Sequence, residues 1–287
     1  MNTQLKYTRR SFVATLAGMA VVPVLGRAAD LSAAASPETR PHKEADKFSL
    51  GIAGYSMRDF SVDETLWWLN RWQLHRWAIK DAHLPVSSGP EVIAALQAKC
   101  KAAGVTIYGA GVFYLKSESE VTNAFAYAQR LGATIIIGVP NPELLPFVEK
   151  AVQASNIRLA IHNHGPDMDL YPTPKSVYDH IKNLDPRIGI CLDIGHTQRC
   201  GVDPSDALGE FASRISDIHI KDVDKAAKDG KTVPLGRGVI DIHRLVRTMR
   251  QLKYAGVCGL EYEGARAESL PGTAESLGYL RGVLSSA

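Results

Sequence analysis

The sequence has only four cysteines, and no two of them form a CxxC pair or follow a regular spacing. This excludes the paired-cysteine motifs of structural zinc sites and thiol redox enzymes. Cys191 and Cys258 lie inside apolar runs, where a small buried thiol is the more common situation. The sequence therefore nominates neither a thiolate metal site nor a disulfide pair.

Long apolar runs and an excess of one charge are also lacking. Beyond the first 30 residues, no apolar run approaches the roughly 18 residues that a membrane-spanning helix needs. The chain has 33 basic and 30 acidic residues, for a net charge of +3. Four of the basic residues precede Ala29, so the remainder carries 29 basic against 30 acidic residues. A nearly neutral chain gives little reason to expect a nucleic acid as a partner.

The first 29 residues have the organisation of an export signal. Arg9 and Arg10 precede a weakly apolar run over residues 12–25, and small residues follow it. The stretch from Thr8 to Ala14 also resembles the twin-arginine export motif. We therefore expect residues 1–29 to be a twin-arginine-type signal peptide that directs the protein to the periplasm, with no membrane attachment after cleavage.

A regular alternation of strand-like and helix-like segments follows a linker over residues 30–47, which is rich in Ala, Ser, Pro and charge. Eight short apolar or β-branched runs begin at intervals of about 25 to 30 residues, except for the last interval of about 41. They begin near Leu50, Trp77, Val105, Ala133, Arg158, Ile188, Ser216 and Val257. Eight such units predict an α/β protein with a single (β/α)8 TIM barrel over residues 48–287.

Two connecting helices can be read in more detail. A helix over residues 91–100 is predicted to bury a face that includes Val92 and Leu96. Ser117 is the predicted N-cap of the next helix, and Gly132 is its predicted end.

Ligand-type side chains stand at the ends of four consecutive predicted strands. They are His162 on strand five, Asp193 on strand six, His219 on strand seven and Glu261 on strand eight. The C-terminal ends of barrel strands open onto one face, so we expect these side chains to converge. A mixed nitrogen and oxygen set suits Mn²⁺, Fe²⁺, Co²⁺ or Zn²⁺ and suits Ca²⁺ poorly. Together the four predict a divalent metal centre.

Polar neighbours of these ligands are the candidate catalytic residues, together with Glu261 itself. His164 shares the strand face of His162, and His196 follows Asp193 by three residues, where it could donate to a sugar hydroxyl or cap a helix. Glu263 could act as a base, orient another group, or replace Glu261 as the ligand of strand eight.

Lys221 follows His219 by two residues and has two interpretations. It could lower its pKa beside a cation, or bind a substrate oxyanion. It could equally form a solvated ion pair with Asp222 or Asp224. Asp217, two residues before His219, has no explanation at the level of sequence.

Further side chains that could line the same pocket follow the predicted strands one to three. Lys80 and His83 are candidates to hold substrate oxygens, and three aromatic residues are candidates to stack on a sugar ring, although packing is the ordinary role of each. The aromatic residues are Tyr55, Phe113 and Tyr114.

Four motifs carry a family resemblance that spans residues 48–285. The sequence resembles the xylose-isomerase-like TIM barrels, a sugar isomerase and epimerase superfamily that includes D-tagatose 3-epimerase and inosose dehydratase. The motifs are CLDIGH at 191–196, DIHIKD at 217–222, PLGRGVID at 234–241 and GLEYEG at 259–264.

The resemblance implies a divalent metal, often Mn²⁺, held by Glu, Asp, His and Glu at the ends of strands five to eight. Asp193, His219 and Glu261 match that pattern, whereas His162 stands where the epimerases have a glutamate. It also implies an enzyme that acts next to the carbonyl of a small sugar or keto-sugar through an enediolate.

The substitution at His162 removes one carboxylate of the acid/base pair that the epimerases use. It therefore gives weight to a lyase or dehydratase that performs β-elimination on a keto-sugar, keto-glycoside or keto-cyclitol. A non-catalytic exported sugar-binding protein is the alternative from another class. The more distant resemblance to endonuclease IV is disfavoured, because strand three lacks the extra His and Glu ligands. The sequence leaves open whether the protein forms a homo-oligomer.

Overall fold

The computed structural model of the protein describes residues 46–286. The predicted signal peptide over residues 1–29 and nearly all of the predicted linker over residues 30–47 lie outside this range. The signal peptide, the linker and the periplasmic location therefore stay predictions.

Eight parallel strands form a closed barrel, in which each strand pairs with the next along the chain and the last pairs with the first. The first seven are β1 (Ser49–Ala53), β2 (Arg76–Ile79), β3 (Thr106–Leu115), β4 (Ile135–Pro140), β5 (Arg158–His162), β6 (Ile188–Asp193) and β7 (Ile215–Ile220). A two-stranded hairpin follows, with β8 (Asp222–Val223) and β9 (Thr232–Val233), and β10 (Val257–Leu260) is the eighth barrel strand. The predicted TIM barrel is confirmed, and each strand begins within two residues of its predicted start.

Helices surround the barrel in the order expected for this fold. They are α1 (Val62–Arg71), α2 (Pro90–Ala102), α3 (Glu118–Leu131), α4 (Leu145–Ser155), α5 (Pro174–Ile181), α6 (Ile194–Arg199), α7 (Pro204–Glu210), α8 (Ile242–Gln251) and α9 (Arg266–Ser286). None of the helices in residues 46–286 is both long and apolar enough to cross a membrane.

The two helices read from sequence have mixed outcomes. Ser117 caps α3 by accepting a hydrogen bond from the backbone N–H of Glu120, and Gly132 ends it in the left-handed conformation with φ of 71°. The predicted buried face of α2 is confirmed at Leu96 but wrong at Val92, which is 55% exposed. The buried side chains are instead Ile93, Leu96 and Cys100, a stripe at i, i+3 and i+7.

The alternation of side chains along the strands separates two apolar regions. One small cluster fills the barrel interior and comprises Ala78, Tyr108, Ile135, Ile137, Ala160 and Cys191. The intervening residues, such as Leu159, Ile161 and Leu192, pack in the larger core that includes the helices. Residues two positions further along a strand share its face. His162 therefore follows Ala160, and Asp193 follows Cys191, on the interior face at the barrel mouth.

The motif at residues 234–241 has a structural explanation. Asp222 accepts hydrogen bonds from the backbone N–H groups of Gly236 and Gly238, each at 3.0 Å, and from that of Ile240 at 3.2 Å. One buried carboxylate thus fixes the long connection between β7 and α8.

Candidate metal centre

His162 and Asp193 are the last residues of β5 and β6, and both side chains are buried. Asp193 is also the N-cap of α6, and its Oδ1 accepts a hydrogen bond of 2.8 Å from the backbone N–H of His196. Its Oδ2 faces the barrel mouth, 3.3 Å from Nε2 of His162. Helix capping and ligation are therefore compatible, because each uses a different oxygen of one carboxylate.

His219 and Glu261 complete the group from the neighbouring strands. His219 pairs in register with Asp193 across β6 and β7, and Glu261 follows β10 directly. Nδ1 of His219 lies 3.1 Å from Nε2 of His162 and 3.2 Å from Oε2 of Glu261. The backbone N–H of Glu261 donates to the carbonyl of Ile220, which holds that glutamate beside β7.

The four side chains offer donor atoms that all lie within 4.8 Å of one another. His162 is 2% exposed, Asp193 0%, His219 2% and Glu261 4%. Oδ2 of Asp193 has no hydrogen-bond partner of good geometry among the described residues, although Nζ of Lys221 lies 2.9 Å away. Two imidazoles and two carboxylates in one buried cluster fit a divalent transition metal ion.

A second set of possible donors shares two of these residues. His162, Cys191 and His219 also have donor atoms within 4.8 Å of one another. Burial raises the pKa of the Cys191 thiol well above its usual value, and the nearby charge of Asp217 raises it further. Because the thiolate is the form that binds metals, the set with Asp193 and Glu261 is the better site.

The position of Lys221 differs from one of its interpretations from sequence. It is buried, and its Nζ lies 2.9 Å from Asp193 Oδ2, 2.7 Å from Glu261 Oε2 and 2.7 Å from Glu263 Oε1. It is therefore not a solvated partner of Asp222 or Asp224. Burial lowers the pKa of Lys221, but the three carboxylates outweigh it and hold the pKa well above the usual value. Lys221 is a fixed positive charge rather than a base.

The balance of charge around Lys221 supports the fit of a cation. Three carboxylates surround a single ammonium, which leaves two negative charges in a buried region. In the metal-free protein His219 offsets part of this excess. Burial lowers the pKa of His219, but the charges of Glu261, Asp217 and Asp193 raise it to about 9. A bound dication would offset the same two negative charges, and its charge of +2 matches them better than the single charge of a protonated histidine.

The two carboxylate ligands stay ionised despite their burial. Burial raises the pKa of Asp193, but its interactions with His196 and with the charged Lys221 hold it well below the usual value. For Glu261 the charges of Lys221 and His219 likewise outweigh burial and lower the pKa. Both side chains are thus in the form that binds a metal ion.

His164 and His196 are imidazoles outside the group of four. Burial and the neighbouring His162 lower the pKa of His164 to about 4, and burial lowers the pKa of His196. Nε2 of His164 lies 3.1 Å from the hydroxyl of Tyr114, and Nε2 of His196 lies 3.8 Å from Oε1 of Glu263. Both rings are neutral at pH 7 and can donate or accept a proton.

Glu263 lies outside the group of four and is more exposed than Glu261. Its Oε1 binds Nζ of Lys221, and its Oε2 accepts a hydrogen bond of 3.3 Å from Thr232 in β9. The structure therefore groups Glu261, rather than Glu263, with the other three candidate ligands.

The group opens into a cavity of about 220 Å³ at the mouth of the barrel. Its lining includes His164, His196 and Glu263, and also Tyr55, Lys80 and Tyr114 from the ends of the first three strands. Two upstream candidates are not part of that lining. His83 lies against the carbonyl of Met57, and Phe113 is buried against Tyr127. A cavity of this size suits one small polar molecule rather than a polymer.

Asn163 is a supporting residue that the sequence did not reveal. It is fully buried, its Oδ1 accepts from the backbone N–H of Asp193 at 3.0 Å, and its Nδ2 donates to Thr197 Oγ1 at 3.1 Å. The only signal was a polar residue between His162 and His164. Gly195 has a similar role, since a Cβ there would lie 2.4 Å from Cγ of Lys221.

Solved structures with low sequence identity have the same fold. D-psicose 3-epimerase from Clostridium cellulolyticum, solved with D-tagatose, is 16% identical with a TM-score of 0.66 over 83% of this chain and 99% of that one. A probable 3-DHS dehydratase involved in petrobactin synthesis, from Bacillus anthracis, is 14% identical with a TM-score of 0.65 over 82% and 99%.

A curated protein from Methanocaldococcus jannaschii, described as uncharacterised, is 27% identical over 96 residues. That match spans 33% of this chain and about a third of the relative's own length. A much longer match comes from the sequence profile of a family described as "Xylose isomerase-like TIM barrel", which covers residues 72–283. The chain belongs to the xylose isomerase-like TIM barrel family.

Proposed function

We propose that the protein is a divalent-metal-dependent enzyme of the sugar isomerase and epimerase type that acts next to a carbonyl group through an enediolate. The observation that carries this proposal is the buried group of His162, Asp193, His219 and Glu261 at the base of a cavity the size of a small sugar. Mn²⁺ is the first candidate for the metal, because the resemblance to the sugar epimerases implies it, and the two nitrogen and two oxygen donors suit Mn²⁺ as they suit Fe²⁺, Co²⁺ or Zn²⁺. Solved neighbours of the same fold include enzymes that act on small sugars.

The cation and the protein have separate tasks. A divalent ion held by the four ligands would polarise a carbonyl and an adjacent hydroxyl and so acidify the C–H bond between them. The buried ammonium of Lys221 binds Glu261 and Glu263, so we assign it the task of holding those carboxylates in place beside the cavity. The neutral ring of His196 can hydrogen-bond a substrate hydroxyl.

We assign the removal of the proton to Glu263 rather than to Glu261. Glu261 binds both Lys221 and His219, and its lowered pKa makes it a weak base. Glu263 lines the cavity, has one partly accessible carboxylate and lies 3.8 Å from the ring of His196, which could pass the proton on. His164 lines the same cavity, and because its ring is neutral at pH 7 it would have to take up a proton before returning one from another direction.

A β-elimination is the second candidate, and His162 is the observation that favours it. With an imidazole at the end of β5, both glutamates of the site follow the same strand, β10. In an elimination, Glu263 would take the proton from carbon and pass it through the neutral ring of His196, 3.8 Å away, to the departing group. A keto-sugar, keto-glycoside or keto-cyclitol would be the substrate class for this outcome.

Deuterium exchange tests the chemistry that both candidates share. The full chain is loaded with Mn²⁺ and transferred to D₂O. It is then incubated with ketohexoses such as D-tagatose and, in separate samples, with 3-keto-glycosides. Products are followed by NMR after removal of the metal. Deuterium on carbon in a product that keeps all the substituents of the substrate indicates isomerisation or epimerisation. Loss of a substituent indicates elimination. Ligand-induced thermal stabilisation without either change would support the non-catalytic sugar-binding alternative.

Glu263→Gln is expected to slow this exchange by about 10²-fold or more, the usual range for loss of a general base. Metal content should be unchanged, because Glu263 lies outside the group of four. Exchange rate and bound metal are measured on the same sample. Glu268→Gln, at an exposed glutamate of α9, is the matched control and should keep the full rate. Equal rates for the two variants would remove Glu263 from the mechanism.

A further inference from the structure

Asp217 is a buried carboxylate that the proposed chemistry does not use. It lies on β7, two residues before His219, and points with it into the barrel interior. Its Oδ1 has no hydrogen-bond partner among residues 46–286, and the contact of its Oδ2 with Cys191 is a weak sulfur hydrogen bond of 3.6 Å. An isolated carboxylate in the interior is costly, so its position calls for a partner.

The ring of His219 faces two different groups with its two nitrogens. Nδ1 faces the cluster, 3.1 Å from His162 and 3.2 Å from Glu261. Nε2 faces the opposite way and has no hydrogen-bond partner in the described part of the chain. The carboxylate nearest to it is Asp217, whose Oδ2 lies 3.6 Å away. Oδ2, which also accepts the weak hydrogen bond from Cys191, is therefore the Asp217 oxygen that faces Nε2 of His219.

We propose that Asp217 is the positioning residue that makes His219 a metal ligand. Its carboxylate attracts the N–H at Nε2, which leaves the lone pair of Nδ1 directed at the cluster with Asp193 and Glu261. A metal-binding histidine commonly donates its second N–H to a carboxylate in this way, which fixes the tautomer and the ring orientation. The inference rests on the proposed metal centre, and it adds a residue beneath the four ligands.

The competing arrangement places the ion deeper, on His162, Cys191 and His219. One contact argues against it. The thiol of Cys191 donates to Asp217, so Cys191 carries a proton that a bound ion would have to displace. The Asp217 carboxylate is thus better placed to orient His219 than to share an ion with Cys191.

Metal binding by the metal-free full chain tests the inference without any assay of turnover. Asp217→Asn and Asp217→Leu are each expected to weaken the binding of Mn²⁺ by about 10- to 100-fold, the range seen when such an orienting carboxylate is lost. Cys191→Ala is the matched control in the same layer and should bind Mn²⁺ as the unaltered chain does. Affinities come from competition with a chelator, after circular dichroism has confirmed the fold of each variant.

Two spectroscopic readouts separate an orienting role from a merely structural one and use the unaltered sequence. In the Zn²⁺-loaded chain, ¹H–¹⁵N correlation is expected to show His219 with a proton on Nε2 and the metal on Nδ1. In the Co²⁺-loaded chain, the absence of a thiolate charge-transfer band is expected. A proton on Nδ1, a thiolate band, or full Mn²⁺ affinity in both Asp217 variants would overturn the inference. Full Mn²⁺ affinity in the two Asp217 variants would overturn only the role of Asp217 and would not contradict the proposed reaction.

Discussion

Asp193→Asn is expected to abolish stoichiometric binding of Mn²⁺ and to leave the fold intact. Asparagine is as good an N-cap as aspartate, so the hydrogen bond to the backbone N–H of His196 survives the change. The charged oxygen that faces His162 is lost, however. Loss of a direct ligand should cost more than the about 10- to 100-fold typical of residues behind the ligands. Elemental analysis after dialysis measures the bound metal.

Asp203→Asn is the matched control for this substitution. Asp203 is the N-cap of α7 and also forms an ion pair with Arg244, but it lies outside the group of four. This variant should keep one equivalent of metal with a small change in stability. If Asp193→Asn retained its metal as well, Asp193 would be a helix cap and nothing more.

Lys221→Met should destabilise the metal-free protein far more than the metal-loaded protein. The substitution keeps the apolar stem and removes the ammonium that binds Asp193, Glu261 and Glu263. Breaking a buried ion pair from one side typically costs about 3–5 kcal/mol, because unpaired charges are left behind. A bound dication neutralises the same carboxylates, so Mn²⁺ should recover much of the loss. Urea unfolding with a chelator and with Mn²⁺ measures both values.

Lys225→Met provides the comparison at an exposed position. Lys225 forms a surface ion pair with Asp229, and such pairs contribute about 0–1 kcal/mol. Its small effect should be the same with and without metal. An equal loss for Lys221→Met under both conditions would mean that the cation does not share the carboxylates of Lys221.

The parts of the structure that sequence predicts well are those with a strong period. Eight runs at nearly constant spacing fix the barrel, because only a closed sheet takes so many strand and helix units. The alternation along strands then places His162, Asp193 and His219 on one interior face, since a shift of one residue would move each to the other face. Ser117 and Gly132 mark the ends of α3 because capping depends on a few neighbouring residues.

The surroundings of individual side chains depend on contacts between distant segments, so patterns along a single segment do not predict them. Lys221 reaches the carboxylates of β6 and β10, and only the fold reveals that Gly195 leaves room for its stem. Asn163 supports β6 from β5 by hydrogen bonds that a single strand cannot show. For α2, two apolar stripes were available in the sequence, and packing against the barrel selected the one with Ile93.

His162 stands where the resemblance to the epimerases implies a glutamate, and its contacts show which role a histidine can have there. The ring lies between the carboxylate of Asp193 and the ring of His219, and burial lowers its pKa, so it is neutral and suited to bind a metal. A neutral ligand of strand five cannot supply the negative base that a glutamate would. The proposed mechanism therefore assigns proton transfer to the groups around Glu263, and experiment needs to separate the isomerase outcome from the lyase outcome.

Anomalous X-ray scattering from crystals of the Mn²⁺-loaded full chain tests the metal centre most directly. Data collected on both sides of the manganese absorption edge should give one strong peak at the barrel mouth. That peak should lie within bonding distance of Asp193 Oδ2, His162 Nε2, His219 Nδ1 and Glu261 Oε2. The absence of a peak from crystals that contain Mn²⁺, or a peak bonded to Cys191 in place of Asp193 and Glu261, would contradict the site described above.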